Sequence, residues 1–132
     1  MVCIREDKIV INDYIENDPL SEENLDKTLE TVNRFRLSCP NKSIWIYSGY
    51  SWNDIWCSEA ALQADYALDY CEDVSKNHKK RQQIISQCDV MIDGRYIDSQ
   101  RDINLKYRGS KNQKVINIKQ SLKQNEIVLY CD

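Results

Sequence analysis

The densest group of side chains able to do chemistry lies in one polar stretch that holds Asp98, Arg101, Asp102, Lys106, Arg108 and Asn112. Guanidinium forks present paired donors that match carboxylates and phosphates. The alternating Arg and Asp side chains therefore either bind an anionic ligand or pair with one another to lock a long loop, and the sequence leaves both open. Tyr50, Trp52 and Trp56 follow a short apolar run, where amphipathic rings form either an interaction face or part of the core. The same choice applies to Trp45, Tyr47, Tyr66 and Tyr70. His78 is the single histidine, set in the basic run Lys76 to Arg81. A general base needs a partner within reach, so His78 is expected on a solvated helix start and not at a catalytic centre. Three glycines are too few for a phosphate-cradling loop, and no nucleophile elbow is present.

Six cysteines stand at positions 3, 39, 57, 71, 88 and 131. No two are spaced as C-x2-C or C-x3-C, so neither a metal site nor a cofactor is expected. The thiols are expected to be reduced and mostly buried, as small hydrophobes.

These residues must be positioned by one compact unit, since 132 residues suit one domain. With 42% hydrophobic and 30% charged residues the composition is that of a globular chain. Eighteen basic against 21 acidic residues give a net charge of −3, without the basic excess of a nucleic-acid binder. Nucleic acid is not expected as a direct partner. The longest apolar runs, such as Ile44 to Tyr47 and Ile127 to Tyr130, are too short to span a bilayer, and Met1 opens no signal-peptide pattern. A cytoplasmic protein without membrane contact is expected.

Along the chain, Lys8 to Asp13 reads as a short strand built on Ile9, Val10 and Ile11. Ser21 is placed to cap a helix carrying Leu25, Leu29, Val32 and Phe35 at helical spacing, ended by Pro40. Ser43 to Ser48 reads as a strand buried on both faces, which favours a parallel sheet. Asn53 to about Tyr70 and Lys76 to Gln87 read as helices. Cys88 to Ile92, Val115 to Ile118 and Ile127 to Tyr130 read as strands, and Asp93 to Gln113 as a polar loop. The fold class expected is α/β, with a mostly parallel sheet covered by helices.

Four segments carry a family resemblance: Asp18-Pro19-Leu20, the run from Ile44 to Trp52, the run from Asp89 to Tyr96, and the run from Arg101 to Gln113. In order and spacing the chain from Asp18 onward resembles the anaerobic ribonucleoside-triphosphate reductase activating proteins, a group within the radical SAM superfamily. The resemblance implies a truncated, radical-SAM-like partial barrel, with residues 1–17 as a divergent N-terminal strand and loop and residues 18–132 activating-protein-like. It also implies that the 101–113 loop lies near the open end of the sheet, where cofactor and partner protein meet.

The family's C-x3-C-x2-C motif, whose three thiolates hold a four-iron cluster, has no counterpart in the sequence. Where the resemblance calls for a Gly-Gly pair ahead of Asp18, the chain carries Glu16-Asn17, whose side chains would obstruct close backbone approach to the cofactor. Met1 and the non-matching residues behind it are read as the start of an independent product.

The sequence-based expectation is a catalytically inactive binding module that inhibits or regulates a partner macromolecule, a protein or a ribonucleoprotein. One such role is that of a phage or mobile-element antagonist, such as an anti-CRISPR or other anti-defence protein. The second reading is an accessory subunit that helps to activate the anaerobic, glycyl-radical ribonucleotide reductase, with the large reductase subunit as partner. A third is a remnant pocket that binds a nucleotide-like ligand. Losing strands from a half-barrel bares an edge, so self-association as a homodimer is expected to cover part of it. The candidate partner- or ligand-binding residues are Tyr50, Trp52, Trp56, Arg95, Arg101, Asp102, Arg108, Asn112 and Gln113.

Overall fold

A computed structural model describes residues 2–5, 7–12, 18–56 and 72–131, with side chains from 76 onward in the helix that begins at 72. Among these residues the elements are β1 (Val2–Ile4), β2 (Lys8–Ile11), α1 (Leu25–Ser38), β3 (Ser43–Tyr47), α2 (Trp52–Ile55), α3 (Glu72–Ser86), β4 (Val90–Asp93), β5 (Lys114–Asn117), α4 (Ile118–Gln124) and β6 (Leu129–Cys131). Short 3₁₀ turns cover Glu22–Asn24 and Asp98–Gln100.

The six strands form one sheet in sequence order. β2, β3 and β4 run parallel, whereas β1 on β2, β5 on β4 and β6 on β5 are antiparallel. The sheet is therefore mixed, which corrects the mostly parallel sheet expected from the sequence. Strand direction depends on where the chain returns, and the short runs of β5 and β6 carry no local record of it. Among the described residues the helices pack on one face of the sheet. The alternation of Ile9 and Ile11, Ile44 and Ile46, Met91 and Ile116 turns these side chains to one face, where they pack on Leu25, Val32, Ile55, Ile84, Ile85 and Ile118 of the helices. Each fully buried Ile is worth about 1.5–3 kcal/mol relative to exposure. The opposite face holds a smaller cluster of Trp45, Val90, Ile92 and Val115.

Two carboxylates pin β4 at its ends. Asp89 accepts hydrogen bonds from the Ile44 N–H (2.8 Å) and the Arg36 guanidinium (2.8 Å), and it pairs with Lys119 at 3.1 Å. Burial alone would raise this carboxyl, but those donors hold it below the ordinary carboxylate range. Asp93, buried, accepts from the N–H groups of Trp52 (2.9 Å) and Lys114 (3.1 Å), so it ties α2 and β5 to β4.

Other differences from the sequence reading have local causes. Ser21 does not cap α1; its hydroxyl donates to the Asp18 carbonyl at 2.8 Å. Ile118 starts a helix instead of ending a strand, because the Asn117 side chain accepts from the Gln120 N–H at 3.1 Å and caps α4. His78 is buried, not solvated: α3 starts at Glu72, and its spacing turns His78 inward, 3.1 Å from Gln82 Nε2. Among the described cysteines only Cys88 is buried, Cys3 on edge strand β1 being exposed and Cys39 and Cys131 half-buried. β1 takes the outer edge of β2, with Val2 opposite Ile11 and Ile4 opposite Ile9. Tyr66, Tyr70, Cys57, Cys71, Glu16, Asn17 and most of the helix expected over 53–70 lie outside the described residues.

Candidate functional site

In an open α/β sheet the carboxyl ends of parallel strands leave a crevice where ligands bind. Here a crevice of about 680 Å³ opens beyond β2, β3 and β4, lined by Asn12, Asp18, Ser21, Tyr47, Ser48, Gly49, Tyr50, Asp54, Gly94, Arg95, Tyr96, Gly109 and Gln113.

Asp18 organises its floor. One carboxylate oxygen accepts from the Leu20 N–H (2.8 Å) and the Ser48 hydroxyl (2.8 Å), and the other accepts from the Gly49 N–H (2.5 Å). Ser48 Oγ in turn accepts from the Tyr50 N–H at 3.1 Å. The loop after β3 is thus held against the residues that follow β2. Gly49 allows this closeness: a Cβ there would lie 3.1 Å from Arg95 Cγ and 3.2 Å from Asp18 Oδ2.

The far wall is the 94–113 loop, which is ordered by its own side chains. Gly94, at φ +88°, turns the chain out of β4. Gln113 donates to the Gly94 carbonyl (3.0 Å) and accepts from the N–H groups of Gly109 (3.0 Å) and Ser110 (3.2 Å). Asn112 donates to the Arg95 carbonyl at 2.7 Å. Arg108 donates to the carbonyls of Lys111 (3.2 Å) and Gln113 (2.5 Å), while its buried Nε has no hydrogen-bond partner among the described residues. Asp102 accepts from the Asn104 N–H at 2.9 Å. Arg108, Asp102, Asn112 and Gln113 thus serve the loop's own architecture.

The remaining candidates divide. Arg95 is exposed on the crevice rim, and its guanidinium makes no hydrogen bond or ion pair with a described residue. Arg101 is exposed and outside the crevice lining, and its backbone bridges Ser110. Tyr50 lines the crevice under the Arg81 guanidinium, 4.6 Å from the ring centroid. Trp52 is buried, with its ring 5.5 Å from that of half-buried Trp56. Trp56 Nε1 is buried without a partner among the described residues. The crevice therefore gathers Tyr50, Arg95 and Gln113 but not Trp52, Trp56 or Arg101. Asp18, Ser48 and Gly49, absent from the sequence-based candidates, are its main builders. Ser48 and Gly49 stand directly after the strand-like run of β3, which is the signal that could have found those two.

The segments that build this crevice lie within a family match: residues 17–116 match the model of the 4Fe-4S single cluster domain, and the chain belongs to that family. It is similar to anaerobic ribonucleoside-triphosphate reductase-activating proteins. The relative from Vibrio cholerae is 31% identical over 95 residues, the one from Pasteurella multocida 33% over 95, and the one from Escherichia coli K12 26% over 95. Each alignment covers 72% of this chain, and the chain spans about half the length of these curated relatives, 47–48%. No solved structure matches the chain. The fold is α/β, with a six-stranded mixed sheet.

The family name implies a four-iron cluster, and the described residues do not fit one. Among them no three His, Cys, Asp or Glu side chains are grouped to hold a metal ion. A cluster takes thiolates, yet burial pushes the Cys88 thiol up to about 12 and its Sγ donates to the Ile84 carbonyl at 3.3 Å. Cys3 and Cys131 sit on the two edge strands at opposite ends of the sheet. No helix among the described residues is long and apolar enough to cross a membrane.

Proposed function

We propose that this chain is a protein-binding module that takes part in activation of the anaerobic ribonucleoside-triphosphate reductase, without itself holding the iron-sulfur cluster or splitting S-adenosylmethionine. The observation that carries this reading is the match over 72% of the chain to reductase-activating proteins. The family-model match, residues 17–116, extends across the crevice-building segments at Asp18, Ser48–Tyr50 and Gly94–Gln113. Any cluster that the reaction requires is supplied by thiolates other than those of the described residues. The named relatives favour this role over the antagonist reading, in which a defence nuclease would be the target.

A pull-down from anaerobic cell extract separates the two. Recovery of the glycyl-radical reductase is the expected result, and recovery of a defence nuclease in its place would overturn the proposal. Anaerobic incubation with iron and sulfide tests the second half: the protein is expected to stay colourless, whereas a brown product absorbing near ~400 nm, from thiolate-ligated iron, would contradict it.

A further inference from the structure

The 94–113 loop carries more than the crevice wall. It holds five basic and two acidic residues, a net charge of +3, while the other 112 residues hold 13 basic and 19 acidic ones. Arg95, Arg101, Lys106 and Lys111 are all exposed, and none makes an ion pair with a described residue. Between them stand exposed apolar side chains: Ile103 is 83% and Tyr96 50% exposed. Exposed apolar residues flanked by unpaired cations mark an interaction site.

The loop is also held in advance. Besides the Gln113, Asn112 and Arg108 bonds, the Tyr47 hydroxyl donates to the Tyr107 carbonyl at 2.7 Å. Tyr107 is fixed at φ +67°, a conformation rare for a bulky side chain. Its ring sits 4.8 Å from that of Trp45, and the Lys8 ammonium lies 4.1 Å from the Trp45 ring centroid and 4.9 Å from that of Tyr107. A surface ordered before binding loses little conformational freedom on docking.

We infer that the exposed stretch of this loop around Ile103, flanked along the chain by Arg101 and Lys106, is a docking surface for an acidic protein segment bearing apolar side chains. Charge and apolar complementarity together select that occupant. The cations match carboxylates and phosphates alike, but the exposed aliphatic side chain of Ile103 offers an apolar contact to protein side chains and none to a phosphate backbone. Combined with the function proposed above, on which this step rests, the segment belongs to the reductase.

The test uses the full chain, the purified reductase, a labelled acidic-aromatic polypeptide of Glu and Tyr, and a labelled single-stranded oligonucleotide. Wild type is expected to bind the reductase and the polypeptide, and to lose affinity as salt rises from about 0.1 M to about 1 M, where the screening length falls from about 10 Å to about 3 Å. Arg101→Glu/Lys106→Glu and Ile103→Asp should each weaken both interactions at least about tenfold, with unchanged circular dichroism, while Lys123→Glu on α4 should not. Reductase binding that the loop variants leave intact would overturn the docking surface and spare the proposed function. Loop-dependent binding of the polypeptide without reductase binding would do the reverse. Oligonucleotide binding as tight as polypeptide binding, or no binding of either polymer, would overturn the inference.

Discussion

Asp18 and Gly49, thirty-one positions apart, meet where a carboxylate oxygen of the first accepts the backbone N–H of the second. That bond joins the segment after β2 to the turn after β3, so the crevice floor is built from two parallel strands' carboxyl ends. Asp18→Ala removes a charged acceptor serving Leu20, Ser48 and Gly49. The expected loss is about 2 kcal/mol, or roughly 6–10 °C in melting temperature for a domain of this size. Thermal unfolding checks it, and a loss below ~0.5 kcal/mol would show that water replaces the carboxylate at no cost.

Asp89 links acid stability to β4. Its folded pKa lies below the ordinary value of 3.8 because Ile44, Arg36 and Lys119 outweigh burial. A depressed carboxylate contributes stability that is present above its unfolded pKa and lost as pH falls through the folded one. Asp89→Asn is therefore expected to destabilise the protein at neutral pH and to shrink the difference between the two proteins as pH drops below about 4. Denaturant titrations at neutral and acid pH test this; an equal difference at both would show that charge is not what Asp89 supplies.

Thiol reactivity should separate the cysteines. Cys3 is exposed, whereas Cys88 is buried with its thiol pushed up to about 12. Alkylation of the native protein at pH 8 followed by peptide mapping should label Cys3 rapidly and Cys88 only after unfolding. Rapid labelling of Cys88 would mean that β4 and α3 open locally.

Tyr47→Phe removes the single side-chain hydrogen bond that the structure shows between β3 and Tyr107. About 1 kcal/mol of local stability should go with it, so amides of residues 101–110 should exchange roughly fivefold faster while those of β3 and β4 do not change. Uniform acceleration across the sheet would indicate that the loop and the sheet unfold together.

The strands and helices whose burial is local were legible in the sequence. Ile9 and Ile11, the 44–47 run and the Leu25–Phe35 spacing each record which face is covered, and β2, β3 and α1 follow them closely. Strand direction was not legible, because nothing within Lys114–Asn117 tells whether its neighbour runs with it or against it. The helix at Ile118 was hidden by an apolar run continuing through β5, and only the Asn117 cap marks the change. At the site, the sequence offered Arg108, Asp102 and Asn112 as ligand binders or loop fasteners, and the structure commits them to loop carbonyls and amides. Asp18 shows the opposite failure. Its role depends on a partner thirty-one residues away, a distance at which sequence spacing carries no geometry.

The central claim is that the chain works by contact with the reductase. A calorimetric titration of the purified chain into purified anaerobic reductase, with no iron added, tests it most directly. Saturable binding with a Kd of about 10 μM or tighter, near −7 kcal/mol, is the predicted result. Absence of heat and of complex at about 100 μM of each protein would contradict it.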